Sequence, residues 1–283
     1  KDFLSYLFFG AYFILGYPAS ILVEKVGFKD AMKIGLYIAS ISVFPMVGGA
    51  RLQSYELVVL GTFVLASGIT LLQVSANMYV IFIGDSRNGV SRLLYMQAFN
   101  SFGTWLAPLV GTLIATANPS STLSLSQVDV FRTELVVLPY VLFTVVFLGM
   151  AVFVQFSELP MMNNFKDVPT NIKDDKATSI LGYKHVVLGS FAICCYVGAE
   201  VSIGSNLGSY IVYELKLDSF TDVIGYIVPY YWGGAMVGRF VGANVAKQVS
   251  PNKMLVFCAF VAIALIGISV LSLKVPAMLA LLG

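Results

Sequence analysis

The chain has 283 residues, of which 58% are hydrophobic and only 11% charged, with a mean hydropathy of +0.85. A water-soluble domain of this length needs more surface charge, so a soluble fold is excluded. A net charge of +2 gives no reason to expect a nucleic-acid partner.

Runs without a charged side chain occupy residues 3–23, 34–50, 57–84, 93–117 and 135–157. Most reach or exceed the roughly 20 residues that cross hydrocarbon as a helix. Residues 158–184 follow, with "NNFKDVPTNIKDDK" at their centre. This stretch mixes both charges, holds Pro169 and has no periodicity, so it reads as a linker. Three further runs lie beyond it: 186–213, whose one charge is Glu200; 223–246, whose one charge is Arg239; and 254–273. The expectation is an all-α membrane protein, because helices satisfy the backbone groups that lipid cannot. Eight helices span, and a ninth starts at Val275 and is cut short. The parts are an N-terminal half at 1–157, a cytoplasmic linker at 158–184 and a partial C-terminal half at 185–283.

Taking the loops alternately puts 12 of the 17 Lys and Arg residues on one side and 5 on the other. That asymmetry makes the loop 24–33 and the linker cytoplasmic. Lys1-Asp2 leads directly into a spanning helix, no signal peptide is visible, and both ends read as truncated. The halves carry comparable basic loops, "SILVEKVGFKDAMKIG" and "GRFVGANVAKQVSPNKML". Two such halves joined by a polar linker suggest a parallel repeat, a transporter layout with substrate between the halves near the midplane.

Polar side chains inside spanning helices are costly unless they face protein or water. "SGITLLQVSANMY" sets Ser67, Thr70, Gln73 and Asn77 at spacings that share a helix face, and "YMQAFNSFGTW" does so with Gln97, Asn100, Ser101 and Thr104. Amides both donate and accept, so these rows suit an uncharged ligand rich in hydroxyls. The competing role for each is a bond between helices, worth ~0.6–2 kcal/mol. Glu200, inside "CYVGAEVSIGSN", is sharper. An uncompensated charge at mid-membrane costs at least ~2.5–3.5 kcal/mol. A carboxyl in a dry surround favours its neutral form and ionises when water reaches it, as a proton carrier must. Its alternatives are a substrate contact or a structural acid paired with a hydroxyl or backbone group. Tyr230 and Trp232, in "VPYYWGGAMVGRF", fit either an interfacial belt or stacking on a sugar's apolar face. Arg239 is expected near the cytoplasmic end, where it can snorkel, and His185 at an interface. Cys194, Cys195 and Cys258 read as small buried residues. Catalytic constellations, phosphate loops and metal-ligand spacings are absent from the sequence, so neither an enzyme nor a cofactor is expected.

Together "GYPASILVEKVGFKDAMKIGL", "ASGITLLQVSANMYVIFIG", "SRLLYMQAFNSFGTWLAPLVG", "CYVGAEVSIGSN" and "YWGGAMVGRFVG" resemble the major facilitator superfamily, and within it the bacterial fucose/galactose/glucose–proton symporters. The resemblance implies twelve helices in two six-helix halves, of which this chain holds helices two to nine and the start of ten. It also implies a monomer in the bacterial inner membrane that takes up a neutral sugar with protons by alternating access. It makes Gln73, Gln97 and Asn100 sugar-facing. Fucose-type members have Glu at the position of Gln73 and Gln at that of Glu200, so the pattern here is closer to the glucose/galactose type. The acid has moved between halves, or it serves sugar binding. An Asp of the family's first helix, implicated in coupling, lies outside this sequence, and Met78 stands where the family usually has Pro. A multidrug or amphiphile exporter of the same fold and a non-transporting membrane sensor are the alternatives.

Overall fold

The computed structural model describes residues 2–116, 125–160, 183–215 and 228–271. The helices are α1 (Asp2–Val26), α2 (Phe28–Ile41), α3 (Val43–Leu52), α4 (Tyr55–Phe82), α5 (Gly89–Thr116), α6 (Leu125–Phe156), α7 (Lys184–Leu215), α8 (Val228–Val245) and α9 (Pro251–Leu271). Among the described residues there is no strand. Six stretches among the described residues are long and apolar enough to cross a membrane: Tyr6–Val26, Phe28–Leu52, Tyr55–Phe82, Val137–Phe156, Val186–Tyr210 and Pro251–Ser269. Helices α5 and α8 occupy the two remaining runs, 93–117 and 223–246, and are less apolar than these six stretches. The expected helix onset at Val275 lies outside the described residues.

The run at 34–50 is one span in sequence but two helices in the structure, parted at Ser42. Pro45 is the cause. It lacks the N–H that would reach the Ile41 carbonyl, and its ring crowds that carbonyl. Ser42 donates its hydroxyl to Ala39 O at 2.6 Å, and the helix resumes with Met46 N–H on Ser42 O. By contrast α4 runs unbroken through Met78, where no proline interrupts it. Its 28 residues are about 42 Å long, ample for a tilted crossing.

The chain divides into two compact units. The first comprises Lys1–Gly89 and Asn118–Pro169, and the second Val90–Ala117 and Thr170–Gly283. Contact therefore groups α5 with the later helices.

In the first unit α1 turns into α2 at Gly27, whose φ of 84° suits glycine. The core there is Ala19, Val23, Phe28, Ala31, Met32, Leu71 and Tyr79. Small residues bring α2 and α4 into backbone contact. A Cβ on Gly68 would stand 2.5 Å from Ala39 N and 2.6 Å from Gly35 O, and one on Gly35 would stand 2.8 Å from Gly68 O. Such close approach is how helices associate where lipid removes the hydrophobic drive. Gly68→Ala must push the helices apart. The expected cost is about 1–3 kcal/mol, the usual price of overpacking, read as a lowered melting temperature in detergent. An unchanged melting temperature would show that the crossing can yield.

Basic residues gather at one end of this unit. Lys25 is in the last turn of α1. Lys29 donates to Ser157 O just past α6, and Lys33 pairs with Asp30 at 2.6 Å. The α1–α2 turn and the end of α6 thus share a side, as the alternation of loops requires. A cavity of about 340 Å³ opens there, lined by Val26, Asp30, Lys33, Ile34, Tyr37 and Gln155. None of the candidate site residues lines it.

The outer faces are apolar: Phe13 is 90% exposed, Phe153 73% and Phe257 68%. The cysteines share this placement. Cys194, Cys195 and Cys258 are exposed, against the expectation that they are buried. The reason is that lipid solvates a thiol-bearing apolar face as well as protein does, so nothing drives it inward.

Candidate functional site

The second unit gathers the charged residues of the apolar runs. α5 and α8 run antiparallel along a seam, since residue numbers rise on one as they fall on the other. From the end bearing the α8–α9 loop, Ser91 donates to Ala243 O at 2.6 Å and Tyr95 OH donates to Asn244 Oδ1 at 2.5 Å. Lys247 Nζ lies 5.2 Å from the centre of the Tyr95 ring. Phe99 then meets Phe240 edge-on, Ser101 meets Arg239, and Trp105 covers Gly233. Ser91, Ala98 and Ser101 of α5 are buried. Tyr95 holds one end of this seam twice. Tyr95→Phe should therefore lose about 0.5–1.5 kcal/mol of stability with its hydrogen bond, and Tyr95→Ala more, because the cation–π contact goes too. Equal melting temperatures for the two variants would remove the ring from this account.

At the middle of the seam the Arg239 guanidinium reaches two helices. Its Nη2 donates to Glu200 Oε1 on α7 at 2.8 Å, and its Nη1 donates to Ser101 Oγ on α5. The side chains are 24% and 16% exposed for Arg239 and Glu200. Arg239 thus does not snorkel toward the cytoplasm, as its place in sequence suggested. It is held inward by an acid on the neighbouring helix and a hydroxyl on another. The signal was present in sequence: each run holds one charged side chain, and the two are of opposite sign. Lone opposite charges in adjacent spans are each costly alone and become tolerable together.

Aromatic rings frame the pair. Tyr231 OH donates to the backbone carbonyl of Glu200 at 3.0 Å, and Tyr196, one turn before Glu200, stands beside both charged groups. A Cβ on Gly204 would lie 2.5 Å from the Trp232 ring and 3.1 Å from that of Tyr231. The glycine one turn after Glu200 therefore makes the slot into which Trp232 fits. Tyr231 and Trp232 meet edge to face, with centroids 5.0 Å apart.

The structure thus seats Trp232 one turn from Glu200, on Gly204, and ties α5, which carries Gln97 and Asn100, to Glu200 through Arg239 and Ser101. Ser101 donates its own hydroxyl to Gln97 O at 3.0 Å, and Asn100 is exposed next to it. Tyr230 is 70% exposed at the third position of α8, away from the middle of the helix. Gln73 and Asn77 are half-buried on α4, in the other unit. In their row the hydroxyls are bonded to their own helix, Ser67 to Phe63 O and Thr70 to Ala66 O, each at 2.7 Å. Sequence reasoning missed Arg239 as the partner of Glu200, Ser101 as the second acceptor of Arg239, and Gly204 as the seat of Trp232.

The chain matches the model of the Major Facilitator Superfamily over residues 2–283. It is 38% identical over 268 residues to the glucose/galactose transporter of Brucella abortus biovar 1 (strain 9-941), covering 94% of this chain and 63% of that protein. It is 27% identical over 277 residues to the L-fucose-proton symporter of Escherichia coli (strain K12), covering 93% of this chain and 62% of that protein. The chain thus spans less than two thirds of the length of these curated relatives. A crystal structure of the E. coli fucose:proton symporter superposes with a TM-score of 0.78 at 26% identity, over 99% of this chain and 72% of that one.

Proposed function

Because the chain belongs to the major facilitator superfamily, we propose that it forms the greater part of a carrier that takes up a neutral hexose with protons across a bacterial cytoplasmic membrane. The observation that carries this reading is the Glu200–Arg239 pair, a proton-binding group inside an apolar span, beside a helix with two amides. A carboxylate at that depth can be neutralised by a proton instead of by arginine, which is the elementary event of proton coupling. The amides of Gln97 and Asn100 and the Trp232 ring supply what a sugar needs: donors and acceptors for hydroxyls, and an apolar face for the ring. Gln73, Asn77 and Tyr230 are proposed as further sugar contacts. The similarity to a glucose/galactose transporter supports a hexose as substrate. The reading carries two halves, 1–157 and 185–283, joined by 158–184, that alternate access as a monomer.

The test is uptake of radiolabelled glucose and galactose by cells expressing the full-length protein. Acidifying the outside should accelerate uptake, and a protonophore should abolish accumulation. Uptake indifferent to both would refute coupling, and transport of amphiphilic drugs but no sugar would support an exporter instead.

A further inference from the structure

We propose that the cavity between α2 and the end of α6 seats the headgroup of a phospholipid that carries both a phosphate and a primary ammonium, the phosphatidylethanolamine class. It involves none of the residues of the sugar–proton reading above.

The order of chemistry along α2 carries the inference. Asp30, Lys33 and Tyr37 line the cavity and follow one another at three and four residues, so they share a helix face. α2 leaves the α1–α2 turn at Phe28 and opens the apolar stretch Phe28–Leu52. Asp30 is therefore nearest water. Lys33 lies about 4.5 Å deeper along the axis, and Tyr37 about 6 Å deeper again. A phospholipid of this class presents its groups in the matching order from water inward: ammonium, phosphate, then the ester-linked glycerol. The acid meets the ammonium and the base meets the phosphate. The phenol stands at the interfacial level where tyrosine is enriched in membrane proteins.

The walls suit the rest of the molecule. Val26 and Ile34 supply an apolar side, and Gln155 of α6 supplies an amide for phosphate or glycerol oxygens. Phe153 and Phe156, which flank Gln155 on α6, are exposed, as is Tyr37, so the cavity opens onto an apolar outer surface. A volume of about 340 Å³ is at the small end of ligand sites, which fits a headgroup whose acyl chains stay outside.

The ion pair already present leaves room for this ligand. Lys33 reaches Asp30 Oδ1 at 2.6 Å, but an ammonium has three donors and a carboxylate two oxygens. The pair has no net charge, so a zwitterion matches it, whereas an anion would meet repulsion from the carboxylate. Lys29 does not compete as the cation of the cavity, because it is turned to Ser157 O.

The experiment uses the purified full-length protein in detergent, with bound lipids counted and their affinities measured by native mass spectrometry. The probes are phosphatidylethanolamine, phosphatidylcholine and phosphatidylglycerol with the same acyl chains, and water-soluble O-phosphoethanolamine. The protein should hold one phosphatidylethanolamine about tenfold tighter than phosphatidylcholine, whose ammonium has no N–H to give Asp30, and tighter than phosphatidylglycerol. Lys33→Gln should weaken that lipid by about fivefold, the worth of one lysine at a headgroup. Asp30→Lys combined with Lys33→Asp keeps an ion pair at the same spacing but reverses the order, and should hold phosphatidylethanolamine no better than phosphatidylcholine. No preference in the wild type, or an unchanged preference in the reversed variant, would overturn the site. If the reversed variant does not fold, Lys33→Gln decides, and undiminished affinity there would overturn the site as well. O-phosphoethanolamine bound as tightly as the whole lipid would overturn a lipid as the occupant.

Discussion

Arg239→Ala should destabilise the protein by about 3 kcal/mol, more than any other single change considered. Removing one member of a buried ion pair leaves the other charged and uncompensated, at a cost of about 3–5 kcal/mol. The lower figure applies because Arg239 and Glu200 keep 24% and 16% of their side-chain surface exposed. The size of the effect comes from the orphaned carboxylate rather than from the lost attraction. The double variant Arg239→Gln with Glu200→Gln should therefore recover most of the loss, because two amides can bond to each other and to Ser101. Melting temperatures in detergent for both single variants and the double one would measure this. A double variant as unstable as Arg239→Ala would show that the packing of the arginine stem, not charge, holds the seam.

Glu200→Gln should leave the protein folded and abolish accumulation. A gradient of one pH unit is worth about 1.4 kcal/mol, enough for tenfold concentration of sugar at one proton per sugar. With glutamine in place the proton has no seat there, so the internal and external sugar concentrations should settle near equality. Exchange of labelled for unlabelled sugar should continue, because glutamine leaves Arg239 its neighbours Ser101 on α5 and Tyr196 on α7. Full accumulation by Glu200→Gln would show that another residue carries the proton.

Part of this site was legible in sequence. Glu200 stood out because a lone acid in a run of 28 residues, 186–213, needs a reason. Gln97 and Asn100 stood out because their spacing repeats a helical turn. Arg239 was visible but misplaced. Its distance from Trp232 was counted along one helix, whereas its surroundings are set by α5 and α7. Trp232 was read as belt or stacking platform, while its immediate partner is Gly204, a residue with no side chain to signal the contact. Thr70 looked like part of a polar row, yet its hydroxyl is bonded back to its own helix. Spacing tells which residues share a face and does not tell where a rotatable hydroxyl points.

Composition and hydropathy were enough to name the solvent and the chemistry available. Apolar runs of helical length leave the backbone no other way to satisfy its hydrogen bonds in lipid. Which helices meet came from the packing. It placed α5 with α7 and α8, and made one arginine the bridge between an acid on one helix and a hydroxyl on another. It also broke the run at 34–50 into two helices at Ser42. The physical reason is the range of the forces. Hydropathy acts on each segment locally and can be summed along the chain. The partner of a buried charge is chosen by close approach between segments far apart in sequence, which the small residues at each crossing permit.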